Sequence, residues 1–212
     1  MNTQEIKKLI QTRNIKLIQI HFPDLMGKLR VFHVPAQRFL KDDLLTNGTR
    51  FDGSTVGFQK VEKSDMIAVP DPDTFLPLPH EPDEALIRAN LFDVDMNPYR
   101  AGPRYILQRA IEKAHSEGFT TVLISPEMEF YVFNHSQEKF KEIKANEGYF
   151  VPSPLDNAKN YRKELSDALT ASGYHVKYQH HETGKSQHEI EIKDLDALAA
   201  ADFCSFFKFI AL

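Results

Sequence analysis

Short runs of apolar residues separated by turns dominate the first part of the chain. The segments "IKLIQIHF" (15–22) and "LRVFHV" (29–34) flank the turn "PDLMGK", and their composition predicts two neighbouring strands. A helix is predicted over residues 3–13, where apolar residues share one face and Thr3 is a suitable N-cap. Further strands are predicted for "MIAVP" and "ALIRANLF". One helix followed by several short strands indicates a compact α+β unit before residue 93.

The spacing of apolar residues changes after the segment "NPYRAGP". A helix is predicted to start at Pro103 and to end near Glu117, just before Gly118. Two strands, 174–182 and 187–192, flank the turn "TGKS" and predict a hairpin. This change of pattern predicts a domain boundary near residue 100.

The end of the chain, from about Asp196 to Leu212, predicts a helix because apolar residues repeat there at helical spacing. Neither Gly nor Pro ends this helix. Two interpretations are open, a terminal helix docked on the core or a chain cut within a domain, and we favour the second. We then expect self-association, because nothing downstream would cover four phenylalanines: Phe203, Phe206, Phe207 and Phe209.

Composition and charge argue against two classes of partner. The net charge is −4 and the Lys and Arg residues are dispersed, which argues against a nucleic-acid partner. No stretch approaches the ~18 apolar residues that a membrane-spanning helix needs, and the first residues lack the apolar segment of an export signal. The single Cys204 cannot form an intrachain disulfide, which is typical of a reducing compartment. We therefore expect a cytoplasmic protein with no nucleic-acid or membrane partner.

Two segments place carboxylates in otherwise apolar strands: "SPEMEFYVF" and "HHETGKSQHEIEI". Side chains alternate between the two faces of a strand, so Glu127 and Glu129 share one face while Phe130 lies on the other. If the apolar faces pack on helices, these glutamates point into one concavity together with the hairpin residues Glu182 and Glu189.

Such a concentration of negative charge needs a positive counter-charge. Two unit charges ~4 Å apart repel by about 4 kcal/mol at an effective dielectric constant of about 20, so several carboxylates would take up protons or move apart unless a cation lay among them. Carboxylate oxygens are hard ligands suited to Mg²⁺ or Mn²⁺, and His180 or His188 would add a nitrogen ligand. For each motif alone the alternative is a solvated strand face, a structural histidine or, at "FDGST", an ordinary Asp-Gly turn.

Four motifs in series carry a resemblance to a known family: "RFDGSTVGFQKVEKSDMIAVPDPDTF", "SPEMEFYVF", "EGYFVPSPLD" and "HHETGKSQHEIEI". In this order they resemble the N-terminal half of glutamine synthetase of the bacterial and archaeal type. The resemblance implies an α+β fold with a β-grasp-like domain over residues 1–100. It also implies that residues 103–212 form the first half of the catalytic domain, an antiparallel sheet with helices behind it.

The resemblance also implies a reaction. The family joins ammonia to the side-chain carboxylate of glutamate through a γ-glutamyl phosphate, with ATP as co-substrate. Two divalent ions, Mg²⁺ or Mn²⁺, neutralise the phosphoryl group during its transfer. The family assembles as a homo-oligomer, a dodecamer of two hexameric rings, and we expect the same of this protein.

The roles of individual residues follow from the same resemblance. Glu127 would hold the ion bound with ATP, and an ion near glutamate would be held by Glu129, Glu182 and Glu189. Glu182 also lies at a substrate-binding position of the family. Asp52 matches the catalytic aspartate that helps ammonium to bind and to lose a proton across a subunit boundary. The family uses the positions of Ser54 and Tyr149 near the ammonium pocket.

The sequence departs from the family pattern in three places. The turn "TGKSQ" carries Lys185 and Ser186 at positions where other residues are usual, and "FDGSTVGF" is one residue shorter than the usual loop. The family's later metal-binding and nucleotide-binding segments would lie beyond Leu212, so we expect this chain to hold half an active site. Two alternatives are a family member that ligates a polyamine or another amine, and a catalytically inactive short homologue that modulates assembly.

Overall fold

Helix α1 (Thr3–Thr12) opens the chain and is held by a capping box. The Asn2 side chain accepts a hydrogen bond from the Glu5 backbone N–H (3.0 Å), and the Glu5 carboxylate accepts one from the Asn2 N–H (2.7 Å). The predicted cap at Thr3 is therefore wrong by one residue, because the amide of Asn2 supplies the acceptor. The computed structural model describes residues 1–132, 148–156 and 158–211.

A six-stranded mixed sheet follows, with strand order β2-β1-β6-β4-β3 and β5 paired to β6. Strands β1 and β6 run parallel, and the other pairs of this sheet are antiparallel. The elements are β1 (Leu17–Pro23), β2 (Leu29–Pro35), α2 (Ala36–Lys41), α3 (Leu44–Asn47), β3 (Thr49–Asp52), β4 (Asp65–Pro70), β5 (Leu76–Pro77) and β6 (Glu84–Phe92). The two strands predicted around "PDLMGK" are confirmed as the antiparallel pair β1 and β2.

Aromatic side chains support the turn that follows β3. The rings of Phe22 and Phe51 lie 5.0 Å apart, and the Phe58 ring packs against both Phe51 and Tyr99. The Tyr99 hydroxyl donates a hydrogen bond to the Phe58 carbonyl oxygen at 2.9 Å. This cluster fixes both ends of the segment that carries Asp52.

The chain forms two compact units, Met1–Thr120 and Thr121–Leu212. Helix α4 (Pro103–Ser116) belongs to the first unit, whereas the predicted domain boundary precedes it. A compact unit and a family domain need not end at the same residue, so the division near residue 100 stays a prediction.

The elements of the second unit are β7 (Leu123–Ile124), β8 (Glu127–Tyr131), α5 (Lys159–Ala171), β9 (Val176–His181), β10 (Gln187–Ile192), β11 (Leu195–Asp196) and α6 (Ala197–Ile210). They form a three-stranded antiparallel sheet of order β8-β10-β9 and a separate strand pair, β7 with β11. The predicted hairpin is confirmed as β9 and β10. Among the helices in the described parts of the chain, none is both long and apolar enough to cross a membrane.

Three of the four phenylalanines of α6 are buried, so the expectation that they lack a partner surface is wrong for these three, whereas Phe209 is half-buried. Phe203 and Phe206 are fully buried, with ring centroids 4.8 Å and 5.6 Å from the ring of Tyr174. Phe207 is also buried, 5.6 Å from the ring of Phe130 on β8. Their cover comes from residues earlier in the chain, and the self-association expected from them therefore has no basis in this part of α6.

Candidate metal centre

The three-stranded sheet of the second unit brings acidic residues into register. Glu129 on β8 lies opposite Glu189 on β10, and Glu189 lies opposite His180 on β9. Glu127 lies opposite Glu191. Directly opposed residues of an antiparallel pair project from the same face of the sheet. These five residues therefore share one surface, here called the acidic face, as the alternation along the strands predicted.

The opposite face of the sheet is apolar and packs on the helices. Ile190 is fully buried, and the ring of Phe130 contacts Tyr161 on α5 and Phe207 on α6. His188 lies on this face, and its Nδ1 atom is 2.8 Å from the guanidinium of Arg162. Burial, together with the Arg162 charge, lowers the pKa of His188 to about 4. Of the two histidines considered as nitrogen ligands, only His180 lies on the acidic face.

His180, Glu182 and Glu189 come together on the acidic side of the hairpin. One ligand atom from each lies within 4.8 Å of the others, the one such group found among the described residues. The Nδ1 atom of His180 is 3.6 Å from a Glu182 carboxylate oxygen, and its Nε2 atom is 3.7 Å from a Glu189 carboxylate oxygen. Both distances exceed those of normal hydrogen bonds.

The hydrogen bonding of His180 identifies which ring nitrogen is free to bind a cation. Its Nδ1 atom lies 3.2 Å from the backbone carbonyl oxygen of His181, which can only accept. In the neutral ring, Nδ1 therefore carries the hydrogen and Nε2 presents a lone pair towards Glu189. A lone pair that faces a carboxylate is satisfied by a proton or a metal ion, so these residues fit a divalent cation.

The electrostatics of Glu189 support the same interpretation. Burial raises the pKa of this carboxyl to about 6, and a hydrogen bond with Glu182 and the negative charges of Glu182 and Glu127 add to the rise. The nearby His180 acts in the opposite direction. Close carboxylates share a proton when no other cation is present, and a bound metal ion takes the place of that proton.

Glu191 differs from Glu189 although both are buried on the acidic face. Glu191 forms an ion pair with Lys177, and Ser125 Oγ donates a hydrogen bond to it at 3.4 Å. Hydrogen bonds from Lys177 and Tyr178 lower its pKa, and the bond to Glu191 raises the pKa of Tyr178 to about 12. Sequence reasoning missed Lys177 and Tyr178. Alternation along β9 places Tyr178 on the face of His180, whereas Lys177 lies at an irregularity in the β9–β10 register that the sequence does not signal. Because Lys177 already neutralises Glu191, we do not count Glu191 as a metal ligand.

Glu127 and Glu129 lie beside the group of three rather than within it. Glu129 accepts a hydrogen bond from the Gln187 side chain, and both glutamates are exposed. Both lie on the acidic face, so their carboxylates are available as further ligands for a cation held by Glu189.

The segment that carries Tyr149 docks against the end of β9. Tyr149 and Phe150 place their rings 5.3 Å and 4.6 Å from the His180 ring, and the Phe150 N–H donates to the His181 carbonyl oxygen at 3.1 Å. A Cβ atom at Gly148 would lie 2.5 Å from the His181 ring and 2.8 Å from the Glu182 carbonyl oxygen. Only glycine therefore permits this close approach, which brings Tyr149 to the acidic face.

Asp52 and Ser54 lie in the first unit: the exposed Asp52 is the last residue of β3, and the half-buried Ser54 lies in the turn that follows. The Asp52 carboxylate accepts hydrogen bonds from the Ser54 backbone N–H (2.8 Å) and from the Ser54 hydroxyl (2.6 Å). These bonds lower the pKa of Asp52, the bond from the hydroxyl having the larger effect. The carboxylate is therefore ionised at neutral pH and able to accept a proton.

An apolar cavity of about 160 Å³ lies in the first unit between β6 and the start of α4. Its lining includes Phe92, Tyr105 and the buried Arg104, whose guanidinium pairs with Asp71 at 2.7 Å. This cavity brings no carboxylate cluster together, so we assign the candidate site to the acidic face.

The raised pKa of Glu189 predicts how the stability of the metal-free protein depends on pH. The pKa is about 6 in the folded state and 4.5 ordinarily, so below pH 4.5 the group is protonated in both states and its stabilising contribution is complete. That contribution is lost as pH rises through the folded-state pKa, because the folded chain must then ionise a buried carboxyl. The buried His188, whose pKa is lowered to about 4, changes the free energy of unfolding in the opposite direction over the same pH range. The Glu189 contribution is therefore the difference in free energy of unfolding between the wild type and Glu189→Gln, measured by urea unfolding in the presence of EDTA. This difference should decrease from pH 4.5 to pH 7.

The exposed Glu164→Gln on α5 is the control and should show no such pH-dependent difference from the wild type. Equal pH slopes for the wild type and Glu189→Gln would contradict the prediction.

Two sequence profiles of known families match the chain in series. The profile described as "Glutamine synthetase, beta-Grasp domain" matches residues 14–94, and the one described as "Glutamine synthetase, catalytic domain" matches residues 100–211. The fold is thus α+β, a β-grasp domain followed by part of a catalytic domain, as predicted. The chain belongs to the glutamine synthetase family.

Named relatives cover nearly all of this chain. Glutamine synthetase of Methanosarcina mazei is 34% identical over 213 residues, which cover 98% of this chain and 47% of that protein. Glutamine synthetase of Pyrococcus furiosus is 38% identical over 197 residues, which cover 92% of this chain and 44% of that protein. The chain therefore spans about half the length of the curated relatives it matches.

Solved structures show the same fold. The cryo-EM structure of Plasmodium falciparum glutamine synthetase matches with a TM-score of 0.85 at 23% identity, over 100% of this chain and 48% of that chain. The GmaS/ADP complex matches with a TM-score of 0.85 at 24% identity, over 96% of this chain and 47% of that chain. At these identities the similarity establishes the fold alone.

Proposed function

We propose that this chain supplies the N-terminal part of a glutamine synthetase. The reaction would be the ATP-dependent ligation of ammonia to the glutamate side chain through γ-glutamyl phosphate. The observation that carries the proposal is the convergence of His180, Glu182 and Glu189, with the pKa of Glu189 raised to about 6. Family membership and the named relatives agree with this assignment.

The acidic face would hold Mg²⁺ or Mn²⁺. Glu129, Glu182 and Glu189 would bind one ion near glutamate, and Glu127 would bind a second ion together with ATP. When bound, such ions neutralise the negative charge that develops on a transferring phosphoryl group. The donor set fits, because oxygen ligands dominate it and buried Glu189 otherwise retains a proton near pH 6.

Residues outside the metal centre would handle the ammonium ion. The exposed Asp52 is ionised at neutral pH and Ser54 donates two hydrogen bonds to its carboxylate, so it can attract ammonium and accept its proton. Tyr149, whose ring packs beside His180, would form part of the ammonium pocket. We propose that Asp52 serves the site of a neighbouring subunit in a cytoplasmic homo-oligomer, a dodecamer of two hexameric rings.

The proposed function is tested with the purified full-length protein, ATP, glutamate and Mg²⁺ or Mn²⁺. Release of phosphate should depend on ammonium, and glutamine should form in equal amount. Methylamine and a polyamine, each in place of ammonium, test the ligation of larger amines. Phosphate release with a polyamine but not with ammonium would replace the proposal by a polyamine ligase, and no turnover with any amine would support an inactive homologue.

A further inference from the structure

A buried arginine lies behind the acidic face and contacts three separate segments. Arg162 on α5 is 3% exposed. Its guanidinium forms two parallel hydrogen bonds to the Asp156 carboxylate, one of them 2.9 Å long. It also donates to Gln179 on β9 at 3.1 Å and to Nδ1 of His188 on β10 at 2.8 Å.

Two of these partners adjoin residues of the acidic face. Gln179 precedes His180, and His188 precedes Glu189. Because consecutive side chains of a strand project from opposite faces, fixing Gln179 and His188 from behind also fixes the backbone that presents His180 and Glu189 in front. The backbone hydrogen bonds of the β9–β10 pair set the distance between these strands. The planar guanidinium has donors in a rigid fork, so one side chain holds both strands against α5 at this point.

The third partner connects Arg162 to the Tyr149 segment. Asp156 is 9% exposed and lies in the same segment, residues 148–156, as Tyr149. In the same stretch the rings of Tyr149 and Phe150 pack on His180. Arg162 thus holds the Tyr149 segment and both strands of the hairpin at one point.

We propose that Arg162 is a positioning residue that fixes the orientation of His180 and Glu189 and the placement of Tyr149 beside them. This inference rests on the proposed function. A buried Arg–Asp pair often adds little net stability over apolar side chains of similar volume. Its fixed geometry, rather than a gain in stability, is therefore the property that the metal centre would use.

The test separates geometry from stability. The double variant Arg162→Met with Asp156→Leu removes both buried charges together, which avoids leaving either one buried without its partner. Because Gln179 and the buried His188 lose a hydrogen-bond donor, its unfolding temperature should fall. Thermal unfolding is therefore measured first, and the variant should be folded at the temperature of the binding assay. Its affinity for Mn²⁺, measured on the full-length protein by electron paramagnetic resonance, should fall by about tenfold or more, as it does when residues that orient metal ligands are lost.

Arg104→Met with Asp71→Leu is the matched control, because the buried Arg104 forms an ion pair with the partly buried Asp71 in the first unit. It should leave Mn²⁺ affinity unchanged. A folded double variant that binds Mn²⁺ as tightly as the wild type overturns the proposal.

Arg162→Lys gives a second test that does not depend on the double variant folding. Lysine keeps the charge and can pair with Asp156, but it cannot bridge Gln179 and His188 at the same time. A folded Arg162→Lys protein should bind Mn²⁺ more weakly, and unchanged affinity would also overturn the proposal. If instead the wild-type protein bound no Mn²⁺, the proposed function itself would fail, which is a distinguishable result.

Discussion

The proposed reaction, glutamine synthesis by the full-length protein, is expected to fall by about three orders of magnitude when Glu189 is replaced by Gln. The substitution keeps the shape of the side chain but removes its charge, and the new amide is a weak ligand for Mg²⁺ or Mn²⁺. Since the proposed ion would neutralise charge that develops during phosphoryl transfer, the loss should appear in kcat and not only in KM. Steady-state kinetics with glutamate, ATP and ammonium each varied in turn measure this division.

Glu191→Gln is the matched control for this variant. Glu191 lies two residues further along β10, on the same acidic face and equally buried, but Lys177 already neutralises it. We expect Glu191→Gln to lower kcat by less than about tenfold, because Lys177 is 40% exposed and can be solvated when its partner is lost. Equal losses in the two variants would mean that the acidic face acts as a whole, and the assignment of the ligands would be wrong.

Asp52→Ala should lower kcat with ammonium by about 100-fold, the usual contribution of a positioned base. The KM values for ATP and glutamate should change little. Asp65→Ala is the control, because Asp65 lies opposite Asp52 in the β3–β4 pair and is also exposed. Similar losses for Asp52→Ala and Asp65→Ala would point to damage to the strand pair instead of loss of a base.

A subunit-mixing experiment tests whether Asp52 acts across a subunit boundary. The inactive variants Asp52→Ala and Glu189→Gln are unfolded together and reassembled in equal amounts. If Asp52 serves a neighbouring site, about a quarter of the sites receive an intact Glu189 and an intact Asp52, and activity returns to that level. If Asp52 served its own site, every site would keep one lesion and the mixture would remain inactive.

Local sequence patterns predicted those features that depend on neighbouring residues. Alternation along β8 and β10 placed Glu127 and Glu189 on one face, and a short polar turn between two strands predicted the β9–β10 hairpin. These features were predictable because the period of a strand depends only on its own backbone. The four motifs identified the family because four spaced motifs in one order are far more specific than any single motif.

Contacts between distant segments could not be read from the sequence. The burial of α6 by Tyr174 and Phe130 depends on how α6 packs against β8 and against the residues that precede β9. The sequence of the last helix does not indicate these contacts. The ion pair between Lys177 and Glu191 likewise required the register of β9 against β10. Pattern alone therefore treated Glu189 and Glu191 alike, although the structure gives them different electrostatic environments.

The turn that carries Asp52 is already fixed within its own chain. The Gly53 N–H donates to the Ser64 carbonyl oxygen at 2.7 Å, and the Tyr99 hydroxyl holds the Phe58 carbonyl at 2.9 Å. A segment restrained in this way has little conformational entropy left to lose when another molecule binds it. Association of subunits would then approach rigid-body docking, and most of the contact free energy would appear as affinity. A neighbouring subunit would receive the carboxylate in its working geometry from the first encounter.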